Sequence, residues 1–173
     1  MHIDLRKGLS LQQGSFTAIV GPERMIITAL NSNEDLRRFL FLFISGNYSH
    51  ILAHLNRNTK NFEVQRAFTA DQLLSMLRAV GHTVVFVEHD ASLYDEAFHL
   101  VDVISGTLKD LARDALIILY TSQADRSFLA LARRADRYIE FIPIDETPIR
   151  IRTARVSRQM GIRPHGQMML EVS

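Results

Sequence analysis

Short apolar runs alternate with stretches of helical periodicity along most of this chain. Consecutive apolar and β-branched residues, ended by polar residues or glycine, are typical of strands that are buried on both faces. The clearest case is Val84 to Val87, which stops abruptly at Glu88. Runs of this kind, together with one shorter segment, predict strands at 15–20, 39–45, 62–66, 84–87, 115–120 and 138–142.

Helical patterns fill the intervals between these predicted strands. Thr69 and Gln72 have the spacing of a capping box, and the apolar residues that follow recur at helical spacing until Gly81, where we expect the helix to stop. Further helices are predicted at 48–56, 97–111 and 128–135. Residues 23–30 carry no decisive period, so helix and strand both stay open there.

Beyond Pro143 the apolar period changes to two. Residues 149–152 alternate between isoleucine and arginine, and 167–172 is their predicted antiparallel partner across a turn region at 161–166. We therefore predict a single domain over residues 1–173 with an α/β fold. It has a largely parallel central sheet, helices on both faces and a C-terminal antiparallel hairpin.

Composition narrows the class of protein. The chain has 173 residues, 47% of them hydrophobic, which is enough for one real core. The net charge of +1 imposes no general attraction to nucleic acid or membrane, and the absence of cysteine excludes disulfides and thiolate metal sites. The longest apolar run, 39–44, is far shorter than a membrane span of about 20 residues. We expect a cytoplasmic protein with no membrane partner.

Taken in order, the segments resemble the RecA/RadA family of recombinases and its KaiC-like relatives. The lead-in ending at Gly21 and Pro22 is similar to the approach to the family's phosphate loop, and 84–88 is similar to its Walker B strand, with Glu88 where the family has aspartate. Residues 117–123 resemble the strand that ends in the glutamine that senses the γ-phosphate, here Gln123. Other matching stretches are 66–69, 111–113, 155–158 and 168–172. The resemblance implies a RecA-like three-layer sandwich.

The phosphate loop departs from the family pattern. That loop needs a second glycine and a lysine followed by serine or threonine, because backbone N–H groups and the lysine charge grip the phosphates. After Gly21 and Pro22 the chain continues with Glu23-Arg24-Met25-Ile26-Ile27-Thr28, which has neither glycine nor lysine. The sequence thus predicts a pseudo-ATPase with absent or weak hydrolysis and no required cofactor.

Residual binding of ATP and Mg²⁺ is the alternative. In that case Arg24 would contact a phosphate and Thr28 would face the metal. The resemblance implies that the nucleotide site would be lined by Gly21, Arg24, Glu88, Gln123 and Arg158.

A second departure concerns DNA. The recombinases have a long glycine-rich DNA-binding loop after the position of Gln123, whereas here residues 124–128 lead almost directly into a helix. Independent strand exchange is therefore not expected, and DNA is at most a weak partner.

Arginines crowd the C-terminal part of the chain. They predict a surface for a protein partner or for nucleic-acid phosphates. The equally weighted alternative is a solvent-exposed face, where arginine keeps an edge strand from pairing with another chain. The residues are Arg150, Arg152, Arg155, Arg158 and Arg163.

Two further groups could carry chemistry. Glu88, His89 and Asp90 follow the central strand and fit either a metal or acid–base cluster or a cap for the next helix. His50 and His54 have the spacing of paired zinc ligands, but no third ligand is evident, so a helix surface is the preferred interpretation. No catalytic residue and no metal site is assigned.

These observations predict an accessory or regulatory protein of DNA recombination or repair. It would act through contacts with a RecA/RadA-like ATPase or another protein, or with further copies of itself. A KaiC-like signalling module and a SulA-like inhibitor of a polymer-forming partner are the alternatives. The remaining one is an enzyme of another class that uses Glu88, His89 and Asp90.

Overall fold

The computed structural model describes residues 2–6, 9–56, 60–142 and 150–155. The strands are β1 (His2–Arg6), β2 (Leu9–Gln12), β3 (Ser15–Val20), β4 (Phe41–Ser45), β5 (Phe62–Arg66), β6 (Val84–Glu88), β7 (Leu116–Thr121), β8 (Arg137–Ile142) and β9 (Arg150–Arg155). The α-helices are α1 (Glu23–Ser32), α2 (His50–His54), α3 (Ala70–Arg78), α4 (Val101–Leu111) and α5 (Arg126–Leu131). Short 3₁₀ turns lie at Glu34–Arg38, Ala91–Tyr94, Phe98–Leu100 and Ala132–Arg134.

Seven strands form the main sheet, in the order β5-β4-β6-β7-β3-β8-β9. The six strands from β5 to β8 run parallel to their neighbours, and β9 pairs antiparallel with β8. This confirms the predicted largely parallel sheet and the antiparallel C-terminal hairpin. The partner of β9 is β8, and the predicted pairing with residues 167–172 lies outside the described residues.

The central strands are buried on both faces, which is why they are nearly continuous in apolar residues. Side chains alternate between faces, so successive residues of β6 and β7 enter two different cores. One core packs against α3, α4 and α5, and the other packs against α1 and α2. The molecule therefore has the predicted three layers.

A small antiparallel sheet of β1 and β2 covers part of the core on the α1 and α2 side. Ile3, Leu9 and Leu11 are its buried residues. These two strands were not predicted from the sequence. Their alternation of apolar and polar residues is the signal that was present, but each segment has only four or five residues.

Several boundaries were predicted imprecisely. Residues 23–30, left open between helix and strand, are helical, because Ile26, Ala29 and Leu30 form one buried stripe. The strand predicted from residue 39 begins at Phe41, and the helix expected to stop at Gly81 ends at Arg78. The helix predicted over 97–111 begins only at Val101, after two 3₁₀ turns. Within the described residues, no helix combines the length and the apolarity needed to cross a bilayer.

Candidate functional site

The carboxyl ends of the parallel strands bring three loops to one edge of the sheet. These loops follow β3, β6 and β7, which are neighbours or next neighbours in the strand order. In open α/β sheets this edge is where ligands bind. The loops carry Gly21 and Gln123, and Glu88 is the last residue of β6; all three were predicted from the sequence to line a nucleotide site.

The loop after β3 is short, and several of its backbone groups are already hydrogen-bonded. Gly21 donates its N–H to the Thr121 carbonyl at 3.2 Å, and Met25 donates to the Pro22 carbonyl at 3.1 Å. Pro22 has no N–H to offer. The buried Tyr120 hydroxyl donates to the Gly21 carbonyl at 2.8 Å. The chain thus passes directly from β3 into α1, held against β7.

Gly21 also lies close to its neighbours. A Cβ at this position would lie 3.0 Å from the Phe141 side chain, so the backbone here is covered by β8. The loop consequently has little room to open on that side.

Glu88 projects toward the face that carries α1 and α2. Burial raises its pKa to about 7, against a hydrogen bond with Ser49 that lowers it, and the nearby carboxylates of Glu23 and Asp90 raise it further. Its Oε2 is buried and has no hydrogen-bond partner in the part of the chain that the structure describes. The carboxyl group is therefore partly protonated near neutral pH.

His89 projects toward the opposite face and is almost completely buried, with 2% of its side chain exposed. Its Nε2 lies 2.8 Å from Asp125 Oδ2. The ring stacks on Tyr94 at 5.5 Å between centroids and meets the edge of Phe128 at 5.4 Å. Burial lowers the pKa of His89, although the hydrogen bond with Asp125 acts in the opposite direction. The neutral ring donates from Nε2, and Nδ1 is left without a partner among the described residues.

Asp125 connects His89 to the start of α5. Its Oδ1 accepts the Phe128 N–H at 2.8 Å, which makes Asp125 the helix N-cap, and also the Ser127 hydroxyl at 2.6 Å. Burial alone would raise the pKa of Asp125, but the hydrogen bonds from Ser127, Phe128 and His89 together lower it. Asp125 and Ser127 were not predicted from the sequence as site residues. The N-cap spacing from Asp125 to Phe128 was visible in the sequence. Nothing in the sequence indicated that the Asp125 carboxylate also contacts His89.

Asp90 closes the loop after β6. Its Oδ1 accepts the Ser92 N–H at 3.0 Å and the Ser92 hydroxyl at 2.6 Å. Its carboxylate covers Gly46, where a Cβ would lie 2.1 Å from Oδ2 and 2.8 Å from the Asp90 Cβ. Asp90 therefore caps the 3₁₀ turn that follows β6, and it needs a glycine on the neighbouring loop.

The three consecutive residues Glu88, His89 and Asp90 do not form a single cluster. Glu88 and His89 lie on opposite faces of the sheet, and Asp90 is engaged by Ser92. Among the described residues, no group of three histidine or acidic side chains is arranged to hold a metal ion. The capping interpretation fits Asp90.

The remaining predicted nucleotide contacts are dispersed. Arg24 is exposed on α1, and its carbonyl accepts the Thr28 hydroxyl at 2.8 Å, so this hydroxyl serves the helix backbone. Gln123 is exposed, and its backbone N–H and carbonyl both bond to the Thr121 hydroxyl, at 3.3 and 2.8 Å. Arg158 lies outside the described residues.

The arginine run begins on the edge strand β9. Arg150, Arg152 and Arg155 belong to this strand, and Arg152 is exposed and lies opposite Glu140 of β8. Arg163, like Arg158, lies outside the described residues. An arginine-bearing edge strand fits both the partner surface and the protected edge that the sequence analysis weighed.

His50 and His54 lie on α2 as predicted. Nδ1 of His54 donates to the His50 carbonyl at 2.9 Å, and the Tyr48 ring meets the His50 ring edge-on. These contacts belong to the helix surface.

We expect Glu88→Gln to stabilise the protein at high pH. The pKa of Glu88 is raised to about 7 in the folded state, so its favourable contribution is present at acid pH and is lost as pH rises through about 7. Glutamine cannot ionise. Allowing for partial solvent exposure of the side chain, the variant should exceed the wild type by about 2 kcal/mol at pH 8 and equal it only below the ordinary glutamate pKa, at about pH 4.

Urea denaturation at several pH values measures this difference. Glu96→Gln, at an exposed position, is the matched control and should leave the pH profile unchanged. A Glu88→Gln curve that runs parallel to the wild-type curve between pH 5 and pH 8 would contradict the assignment.

NMR titration of His89 should show a pKa below the ordinary histidine range and a neutral Nε2–H tautomer. Because Asp125 favours the protonated ring, Asp125→Asn should lower this pKa further while it retains an N-capping side chain. His89 therefore favours folding above the ordinary histidine pKa, and this contribution is lost as pH falls through its lowered folded pKa. A rise in the His89 titration midpoint in Asp125→Asn would show that Asp125 does not stabilise the protonated His89 ring.

Comparisons with known proteins place this geometry in context. No protein-family model matches the chain. An uncharacterized protein of Archaeoglobus fulgidus is 34% identical over 127 residues, which cover 73% of this chain and 64% of the relative's length. The crystal structure of the flagellar accessory protein FlaH from Methanocaldococcus jannaschii superposes with a TM-score of 0.58 and 14% identity, covering 90% of this chain and 86% of that one. Together with the sheet order, this likeness shows that the chain has a RecA-like α/β fold.

Proposed function

We propose that the chain is a RecA-like protein that acts through protein–protein contacts and has lost ATP hydrolysis. The closed loop after β3 is the observation that carries this proposal. A phosphate loop binds by pointing several free backbone N–H groups at the phosphates. Here Gly21 and Met25 have committed theirs and Pro22 has none, which leaves only the N–H groups of Glu23 and Arg24 in the first turn of α1.

The charges at this edge support the same conclusion. Glu23 occupies the first turn of α1, where a phosphate would approach the helix N-terminus. It lies close enough to Glu88 to raise the pKa of that carboxyl, and Asp90 adds to the effect. A triphosphate would meet carboxylates where phosphoryl transfer requires positive charge.

Residual ATP and Mg²⁺ binding would require these groups to rearrange. Arg24 is exposed and could reach a phosphate. Thr28 could face Mg²⁺ only after its hydroxyl leaves its hydrogen bond to the Arg24 carbonyl. The proposal therefore includes no cofactor.

The partner in this proposal is a RecA/RadA-like ATPase of DNA recombination or repair. The RecA-like fold supports it, since proteins of one fold can associate through shared interface geometry. A protein without its own hydrolysis would then cap, seed or restrain the active partner. DNA would be a secondary ligand of the arginines on β9.

A second candidate is an accessory module outside recombination, as in the KaiC-like alternative. The likeness to FlaH, which is a flagellar accessory protein, favours it. Both candidates share the central claim that the fold serves as a contact surface.

Calorimetric titration with ATP and Mg²⁺ tests the loss of nucleotide handling. We expect no binding heat at millimolar ATP and no phosphate release above background, because the loop has few free backbone donors, lacks the lysine of a phosphate loop and carries the carboxylate of Glu23. Metal-dependent binding with micromolar affinity, lost in Glu88→Ala and retained in the exposed control Glu34→Ala, would refute the proposal.

Affinity purification of the tagged chain from its own host separates the two partner classes. Recovery of a RadA-type ATPase with repair factors, confirmed by reconstitution from purified proteins, is the expected result. Reconstitution with a motility or kinase complex instead would select the second candidate. If the chain reconstitutes with neither, both are excluded.

A further inference from the structure

Two aromatic side chains are strongly exposed on neighbouring loops. Tyr48 is 73% exposed in the loop between β4 and α2, and Phe68 is 56% exposed in the loop between β5 and α3. Because β4 and β5 are adjacent parallel strands, both loops lie at one corner of the carboxyl edge. Paired exposed aromatic rings are characteristic of binding surfaces.

The two loops are fixed to each other. Arg66 donates from Nη1 to the Asn47 carbonyl at 2.8 Å, and Ala67 donates its N–H to the Ser45 carbonyl at 2.9 Å. These bonds span the gap between the two strand ends. The corner is therefore a single connected surface.

The aromatic residues are also held locally. Tyr48 packs edge-on against His50, with ring centroids 4.7 Å apart. The N–H of Phe68 donates to Gln72 Oε1 at 2.8 Å, in the same turn where Thr69 caps α3. A surface that is ordered before binding loses less conformational entropy when a partner docks.

Arg66 supplies the charge of this corner. It is exposed, and its only hydrogen bond within the described residues is from Nη1 to the Asn47 carbonyl. Over the described ranges no carboxylate forms a salt bridge with it. A guanidinium held in place by a carbonyl keeps donors in a planar fork that matches a carboxylate.

The surrounding charges decide what kind of partner fits. Aromatic rings with arginine can also stack single-stranded nucleic acid, but that chemistry needs a continuous basic groove. The arginines of β9 lie on the opposite edge of the sheet, six strand spacings or about 29 Å away. Asp71, in the first turn of α3 and three residues after Phe68, is exposed and adds a negative charge, so the corner does not extend into a basic groove for nucleic acid.

We propose that Tyr48, Arg66 and Phe68 form a docking surface for an extended segment of a partner protein, in which an apolar side chain is flanked by a carboxylate. The apolar side chain packs against the two rings, and the carboxylate pairs with Arg66. This inference rests on the proposed function, for which it supplies the contact surface.

Panning a displayed library of random linear peptides against the immobilised full-length chain tests the surface. The enriched peptides, made synthetically and measured by fluorescence anisotropy, should carry an aromatic or aliphatic residue beside aspartate or glutamate. Tyr48→Ala, Phe68→Ala and Arg66→Gln should each weaken their binding by about tenfold or more. Leu40→Ala and Val103→Ala, exposed apolar positions elsewhere, should leave it unchanged.

A charge exchange separates the docking role of Arg66 from its structural bond to Asn47. Replacing the peptide carboxylate by lysine should weaken binding to the wild type and restore binding to Arg66→Glu. The docking surface is overturned if no peptide is enriched, if the three variants bind as the wild type does, or if the exchange restores nothing. It is equally overturned if a thymidine oligonucleotide binds and its affinity is lost in the same variants.

These outcomes are distinguishable from failure of the proposed function. ATP binding with retained peptide binding would refute only the claim about nucleotide. Absence of ATP binding together with absence of peptide binding would refute only this surface.

Discussion

The alternation of side chains along β6, a strand buried on both faces, is the constraint on which the candidate site depends. Val84 and Phe86 enter the core beneath α1 and α2, and Val85 and Val87 enter the core beneath α3 to α5. The same alternation continues past the last apolar residue. Glu88 therefore faces α1, and His89 faces α5.

This separation gives two neighbouring residues opposite chemistry. Burial raises the pKa of Glu88 and lowers that of His89, since both groups lose solvation of their charged forms. Glu88 faces further carboxylates across the carboxyl edge, whereas His89 is enclosed by aromatic rings and held by Asp125. The Glu88 side of the sheet is acidic and reaches solvent. On the opposite side, His89 connects the loops after β6 and β7 inside the protein.

The closed loop after β3 and the exposed corner beside β4 and β5 belong to the same edge but differ in character. At the loop, Tyr120 and Thr121 hydrogen-bond to the backbone of Gly21, and the Phe141 side chain packs closely against it. At the corner, Tyr48, Arg66 and Phe68 project rings and charge outward from an ordered backbone. The edge thus combines a short, hydrogen-bonded loop with a corner of exposed aromatic and arginine side chains.

The sequence by itself determined the α/β class, the parallel core strands and the absence of lysine and glycine from residues 23–28. Strands buried on both faces must be nearly continuous in apolar residues, and helices need apolar residues along one face and a capping residue at the start. These features are local, so they can be recognised from the sequence. It did not determine β1 and β2, whose segments are too short to carry a strong period, or the conformation of 23–30. Only the tertiary structure paired His89 with Asp125, 36 residues apart, and brought Tyr48 and Phe68 to one corner. The reason is physical: such contacts arise from which strands lie side by side, and strand order is a property of the whole sheet.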